Sequence, residues 1–195
     1  MKTIGVLGLQ GDVIEHIEAL KRQNASPIWL ENPSQLKEVD ALIIPGGEST
    51  TIGNLIVKNG LFEPIRQFAK YGKPIWGTCA GAILLAKEGD SQVRKTHQPL
   101  LKLMDMKADR NAFGRQRESF EIDVELDGIT GKGNNPFPAV FIRAPVIEKV
   151  WGNCKVLGEL DGKIIAAQQK NLLATCFHPE LTDDLRVHDY FLGMI

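Results

Sequence analysis

The sequence predicts an α/β fold: one mostly parallel, mixed sheet flanked by helices, spanning residues 1–195 as a single domain. Short apolar runs alternate with helical patterns through the first half, and each run stops at glycine or proline. A content of 43% hydrophobic and 24% charged residues over 195 positions suits one globular core and excludes a disordered chain. Short buried strands separated by helices imply parallel pairing, because a parallel crossover needs a covering helix.

Taken in order, Thr3 to Leu9 predicts the first strand, ended by Gly8 and Gly11. Asp12 is expected to cap the next helix, with Glu15 completing a capping box and Val13, Ile17 and Leu20 on its buried face. Pro27 to Glu31 and Ala41 to Ile44 predict two further strands, the latter broken by Pro45-Gly46-Gly47. Helices are expected over Thr51 to Lys58 and Leu61 to Tyr71, with Gly60 and Gly72 as C-terminal stops. Pro74 to Thr78 predicts a strand and Ala80 to Glu88 a helix.

The second half is richer in strands. Phe120, Ile122, Val124 and Leu126 alternate with acidic residues, the signature of a half-exposed strand. Ala139 to Arg143, Lys155 to Leu160 and Lys163 to Ala167 follow, the last two flanking the hairpin turn Asp161-Gly162. Leu172 to Phe177 predicts a buried strand, and Thr182 is expected to cap a terminal helix with Asp183 and Asp184 in its first turn. Residues 89–99 and 128–138 are expected to be surface loops.

Composition also narrows function. Lys plus Arg (23) against Asp plus Glu (24) leaves a net charge of −1, without the basic excess that nucleic-acid binding needs. The longest apolar run, Ala82 to Ala86, falls far short of the about 20 residues of a membrane-spanning helix. No signal-peptide core follows Lys2. The three cysteines, Cys79, Cys154 and Cys176, form no C-x-x-C pair, a usage that fits a reducing cytoplasm. Neither G-x-G-x-x-G nor a phosphate-binding P-loop is present. Cys79, Cys176 and His178 lack the paired spacing of a zinc site, so no metal is expected.

Gly77-Thr78-Cys79-Ala80-Gly81 has the G-x-nucleophile-x-G spacing of a nucleophile elbow. Glycines two positions either side remove Cβ atoms that would clash in so tight a strand-to-helix turn. The turn lifts the central side chain out at the carboxyl end of its strand. The plain alternative is a buried cysteine in a glycine-rich turn. Phe177-His178-Pro179-Glu180 supplies a base: Pro179 favours an extended His178, so the carboxylate of Glu180 can face the same way as the imidazole and orient it. Here the alternative is a strand-end histidine bonded to a carbonyl. Oxyanion donors are expected at the Ala80 N–H and around Gly46 and Gly47, where an adjacent parallel strand ends at the same edge.

The elbow joined to a downstream His-Pro-Glu resembles the class I, triad-type glutamine amidotransferases. Ile4 to Gly11, Pro45 to Thr51, Gly77 to Gly81, Arg110 to Gln116, Val140 to Pro145 and Phe177 to Glu180, in that order, look like one branch of them: the glutaminase subunits of pyridoxal 5′-phosphate synthases. That resemblance implies Cys79 as nucleophile, His178 and Glu180 as its relay, and glutamine contacts from Gly47, Glu48, Ser49, Arg110, Ile142 and Arg143. The fork of an arginine suits an α-carboxylate, a role open to Arg110 and Arg143. Gly128 to Pro138 is longer than the connection the resemblance implies.

The resemblance also implies hydrolysis of L-glutamine to L-glutamate and ammonia. The ammonia would pass to a separate synthase (lyase) subunit that combines it with ribose 5-phosphate and glyceraldehyde 3-phosphate, in a large hetero-oligomer. Pyridoxal 5′-phosphate is then a product of the assembly, and no cofactor is expected on this chain. One α/β domain takes up all 195 residues, which also places the acceptor site on another polypeptide. The Gly46-Gly47 peptide can take more than one orientation, so the isolated chain is expected to be poorly active. Imidazole glycerol phosphate synthase has a comparable glutaminase subunit, against which Arg110 to Gln116 and Val140 to Pro145 argue.

Overall fold

In the computed structural model, residues 1–110, 119–130 and 135–195 are described. The chain runs β1 (Thr3–Leu7), α1 (Val13–Arg22), β2 (Ser26–Leu30), β3 (Ala41–Ile44), α2 (Ser49–Lys58), α3 (Phe62–Lys70), β4 (Ile75–Thr78) and α4 (Ala80–Leu85). There follow β5 (Ala86–Gly89), α5 (Ser91–Lys95), β6 (Met104–Asp109), β7 (Ser119–Val124), β8 (Phe137–Ile142), β9 (Val146–Val150), β10 (Lys155–Leu160), β11 (Lys163–Gln169), β12 (Leu172–Thr175) and α6 (Arg186–Gly193).

The main sheet has the order β2-β1-β3-β4-β12-β11-β9-β6-β5, with β10 paired to β11. From β2 to β12 every pairing is parallel; β11, β9 and β6 then pair antiparallel. The expected mostly parallel, mixed sheet is therefore present. Its parallel half creates the site. Ile44 is level with Gly77 and Thr175 with Thr78, so β3, β4 and β12 end side by side at one carboxyl edge. All residues of those three strands are buried, and each Ile or Leu there contributes about 1.5–3 kcal/mol of transfer free energy. Trp76 fits this apolar layer because its indole N–H donates to Thr175 Oγ1 at 3.0 Å.

The elbow glycines behave as their spacing predicts. A Cβ on Gly77 would lie 2.4 Å from the Gly81 backbone, and one on Gly81 would lie 2.0 Å from the Ile44 carbonyl oxygen. At the other hairpin, Asp161 (φ 51°) and Gly162 (φ 73°) adopt the paired positive φ of a type I′ turn.

Several boundaries differ from expectation. The helix expected to reach Glu88 stops at Leu85, and Ala86 turns extended (φ −66°, ψ 147°) to start β5 beside β6. Ala, Lys and Glu favour helix by only tenths of a kcal/mol, less than sheet pairing returns. The Lys87 ammonium meets Asp105 across that pairing. Asp12 makes no side-chain cap to α1; its carboxylate turns to His178 instead. Thr182 caps nothing either: its hydroxyl donates to the Pro179 carbonyl at 3.2 Å, and α6 begins only after Leu185.

The 89–99 segment is not all loop, since Asp90 accepts from the Gln92 and Val93 N–H groups and nucleates α5. β6 and β9 were not anticipated from the sequence. Strand β7 is less regular than its alternation implied, with Ile122 39% exposed, because a two-stranded ribbon with β8 covers only part of that face. Of the Arg110 to Gln116 motif, residues 111–116 lie outside the described residues, as do residues 131–134 of the 128–138 segment.

Candidate active site

Cys79 sits where β4 becomes α4, with φ 47° and ψ −104°. An L-residue with a side chain rarely holds that conformation, and the cost is of order 1–3 kcal/mol. It is held by the Cys79 N–H donating to the Thr175 carbonyl at 2.8 Å and by the packing of the two elbow glycines. Cys79 lines a cavity of 440 Å³, large enough for an amino acid.

His178 follows β12, the neighbour of β4. Its N–H donates to the Val140 carbonyl at 2.8 Å, so the small β7–β8 sheet braces the base. Pro179 starts a short 3₁₀ turn, Pro179–Leu181, which brings Glu180 Oε1 to 2.8 Å from His178 Nδ1. That leaves Nε2 for the Cys79 sulfur, which lines the same cavity as His178. Burial opposes a charge on His178, but hydrogen bonds to Asp12, Cys79 and Glu180 outweigh it and push the imidazolium up to about 12. Burial raises the Glu180 carboxyl, and the facing imidazolium pulls it back. Cys154 is pushed up to about 11 by burial and by Asp105, and the fully buried Cys176 higher still, so both are poor nucleophiles.

β3 ends at Ile44, and Pro45 leads on to Gly46 and Gly47, the latter in the wall of the Cys79 cavity. A Cβ on Gly46 would lie 2.5 Å from His178 Cε1, so only glycine fits against the base. The Gly46 carbonyl accepts from the Asp12 N–H at 3.1 Å, which sets the plane of the Gly46–Gly47 peptide. Gln10 covers Gly47, its Oε1 accepting the Glu48 N–H at 2.8 Å.

Of the expected substrate contacts, Gly47, Glu48, Ser49, Arg110, Ile142 and Arg143 all line the same cavity as Cys79, Ala80 and His178. Their states differ. Glu48 caps α2 by accepting the Thr50 and Thr51 N–H groups at 3.0 and 2.7 Å. Burial nudges its carboxyl up, but hydrogen bonds from Thr51 and Thr50 hold it down at about 2. Arg110 spends its fork on Glu48 at 3.0 Å and on Thr50 and Gln98 at 3.1 Å. Ile142 and Arg143 come off the end of β8, and Arg143 bends the chain with φ 40°.

Two further residues line the cavity, Gln10 and Asp12, the latter carrying a capping pattern that hides its role in the sequence. Gln98, behind the wall, accepts from Ser49, Thr50 and Arg110. Asp12, His178 and Glu180 offer atoms within 4.8 Å of one another, as a metal site would. Those same atoms are engaged with one another, Glu180 Oε1 at 2.8 Å and Asp12 Oδ2 at 3.4 Å from His178 Nδ1, an arrangement able to orient an imidazole.

A cysteine strained at a strand-to-helix turn, with a histidine and glutamate from the next parallel strand, defines the class of triad-type α/β proteins built for acyl transfer. Residues 6–195 match the SNO glutamine amidotransferase family, and the chain belongs to it. It is 52% identical to the "Pyridoxal 5′-phosphate synthase subunit PdxT" of Methanococcoides burtonii, over 98% of both proteins. The protein of that name from Herpetosiphon aurantiacus is 54% identical, over 98% of this chain and all of the relative. A solved structure described as a glutamine amidotransferase superposes with a TM-score of 0.90 at 44% identity, covering 98% of this chain and 97% of the other. PurLQS of Thermotoga maritima, at 15% identity and a TM-score of 0.69, shares the fold, covering 99% of each chain. Among the described residues no helix is long and apolar enough to cross a membrane.

Proposed function

We propose that this chain is the glutaminase subunit of a pyridoxal 5′-phosphate synthase, hydrolysing L-glutamine to L-glutamate and ammonia. The observation that carries the reading is a strained Cys79 lining one cavity with a His178 that Glu180 holds at 2.8 Å. That the relatives are named as subunits of a pyridoxal 5′-phosphate synthase supports the assembly.

The imidazolium is the counter-ion that a thiolate nucleophile needs. The Cys79 thiolate attacks the side-chain amide carbon, and the oxyanion rests on the Ala80 N–H and on the peptide N–H groups around Gly46 and Gly47. His178 gives its proton to the departing nitrogen, which leaves as ammonia, and a thioester remains on Cys79. The now neutral His178 takes a proton from water, whose oxygen attacks the thioester; glutamate leaves and the thiolate returns. Glu180 keeps the ring oriented throughout. Gly47, Glu48, Ser49, Arg110, Ile142 and Arg143 hold the α-ammonium and α-carboxylate.

Ammonia released into bulk water is protonated and lost to synthesis, so its consumer must abut this cavity. That consumer is a separate lyase subunit in a large hetero-oligomer, acting on ribose 5-phosphate and glyceraldehyde 3-phosphate. The Gly46–Gly47 peptide, pinned in this chain by the Asp12 N–H, is the element such a partner would reorient. Three unpaired cysteines suit a cytoplasmic enzyme.

The test is glutamate release in the presence of the purified synthase subunit. Wild type is expected to turn over faster with that subunit than alone, and Cys79→Ala to be inactive. Persistent hydrolysis by a folded Cys79→Ala variant would sink the reading.

A further inference from the structure

Two buried imidazoles have no part in the reaction derived above. His16 comes from α1 and His188 from α6, and both are fully buried. His16 Nδ1 lies 3.2 Å from His188 Nε2, and His16 Nε2 lies 3.1 Å from Thr78 Oγ1. Trp76 meets both rings edge-on, at centroid distances of 5.4 and 4.9 Å. The same His16 Nε2 faces Glu180 Oε2 at 3.4 Å. That oxygen, the one not used on His178, is buried and accepts no hydrogen bond from another described residue.

Two proton arrangements fit His16: with Nε2 bare it accepts from the Thr78 hydroxyl and leaves Glu180 Oε2 without a partner, and only with the proton on Nε2 is that oxygen served. A carboxylate oxygen only accepts, so to serve Glu180 the proton of His16 must sit on Nε2. Burial, with His188 and His178 nearby, keeps His16 far below its ordinary protonation range, so it carries one proton and Nδ1 is bare. Bare Nδ1 can accept the Nε2–H of His188. His188 is itself held neutral, down to about 4, by burial and by Arg22. Its Nδ1 is then also bare, and Nδ1 of His188 is another buried atom with no partner among the described residues. Donors then converge on Glu180 from both sides: His188 Nε2–H donates to His16 Nδ1, His16 Nε2–H faces Glu180 Oε2 at 3.4 Å, and His178 Nδ1–H donates to Glu180 Oε1 at 2.8 Å. The charged or titratable groups that face this arrangement are Asp12 and Cys79 around His178, and Arg22 beyond His188.

We propose that His16 is a positioning residue of this active site: its neutral ring presents Nε2–H between Thr78 Oγ1 at 3.1 Å and Glu180 Oε2 at 3.4 Å, and His188 fixes the tautomer that makes this possible. The inference rests on the Cys79–His178–Glu180 reading above. A buried carboxylate anchored through one oxygen can swing; anchored through both, it keeps His178 aligned with the sulfur.

The test uses the complex with the synthase subunit and follows glutamate release from glutamine. In His16→Leu, which keeps the bulk and loses the donor, kcat is expected to fall roughly 10- to 100-fold, the loss of one charge-assisted hydrogen bond. KM is expected to stay within about twofold, since no substrate contact is touched. The acid limb of the kcat profile should move to higher pH, because the carboxylate loses a donor that favours its charged form. His16→Gln, whose amide can donate in place of Nε2–H, should recover most of the rate. Equal loss in both variants, or an unchanged rate and profile in His16→Leu, overturns the proposal while leaving the triad reading intact. Activity surviving in Cys79→Ala overturns the triad instead. Should His16→Leu not fold, nitrogen chemical shifts of the wild-type imidazoles decide. Neutral Nε2–H forms of both His16 and His188 at pH 7 are expected; a protonated His16, or one with its proton on Nδ1, refutes the arrangement.

Discussion

Asp12 Oδ2 lies 3.4 Å from His178 Nδ1, the nitrogen that Glu180 Oε1 reaches at 2.8 Å. Two carboxylates therefore converge on one side of the His178 imidazole. Glu180 is buried, whereas the Asp12 side chain is 36% exposed on the cavity wall. The buried member orients; the half-exposed one adds charge.

The pH dependence should report that second carboxylate. Asp12 is among the groups that raise His178 above its ordinary 6.5. Asp12→Asn removes an anion beside the imidazolium, so the alkaline limb of kcat should move to lower pH. Near neutrality kcat should fall only about threefold to tenfold, since a partly solvated pair is worth little. Glu180→Gln should cost far more. A profile of Asp12→Asn superimposable on wild type would dismiss the role. Linkage carries the same sign: because the folded value is raised, the stability this group contributes is complete below about pH 6.5 and declines as pH climbs towards the folded value.

Packing at the elbow can be tested by adding a single methyl. Gly81→Ala puts a Cβ 2.0 Å from the Ile44 carbonyl oxygen, and backbone cannot yield as a side-chain tip can. Destabilisation of about 3 kcal/mol, or failure to fold, is expected. Gly72→Ala is the control: nothing lies within 4 Å, and only its φ of 81° is strained, for about 1 kcal/mol. Urea denaturation of both variants measures the difference, and similar losses would show that strain, not collision, governs the elbow.

The two arginines should separate kinetically. Arg110 is already held by Glu48, Thr50 and Gln98, whereas Arg143 projects from the end of β8 into the cavity wall. Arg143→Ala is expected to raise KM roughly 10- to 100-fold with little change in kcat, the mark of lost uniform binding. Glu48→Ala should cost about 1 kcal/mol of stability at pH 7 through the lost cap. Its carboxyl is depressed to about 2, so that contribution is present above about pH 4.5 and fades as pH falls towards 2. Denaturation at pH 7 and near pH 2.5 checks the trend, and a constant difference would contradict it.

The parts of the fold that could be read beforehand are those written in consecutive residues. β3 and its Pro-Gly-Gly stop, the Asp161-Gly162 hairpin and the Cys79 elbow each depend on backbone preferences within a few positions, and each stands where the pattern placed it. β5 was misread as helix because Ala86 to Glu88 favour helix locally and only pairing with β6 overrides them. Thr182 and Asp12 carried capping signatures, yet the Thr182 hydroxyl is used by Pro179 and the Asp12 carboxylate by His178.

Local periodicity, glycine spacing and the His-x-Glu step were therefore enough to predict an α/β sheet with Cys79 and His178 at its carboxyl edge. Tertiary structure decided which strands are neighbours: β12 beside β4 sets His178 against Cys79, and β3 on the other side brings Gly46 under the imidazole. It also decided that His16 and His188, from helices at opposite ends of the chain, would meet, with His16 facing Glu180. No short-range pattern encodes such a meeting, because side chains so far apart in sequence come together only when burial of their helices against one sheet leaves them no other place.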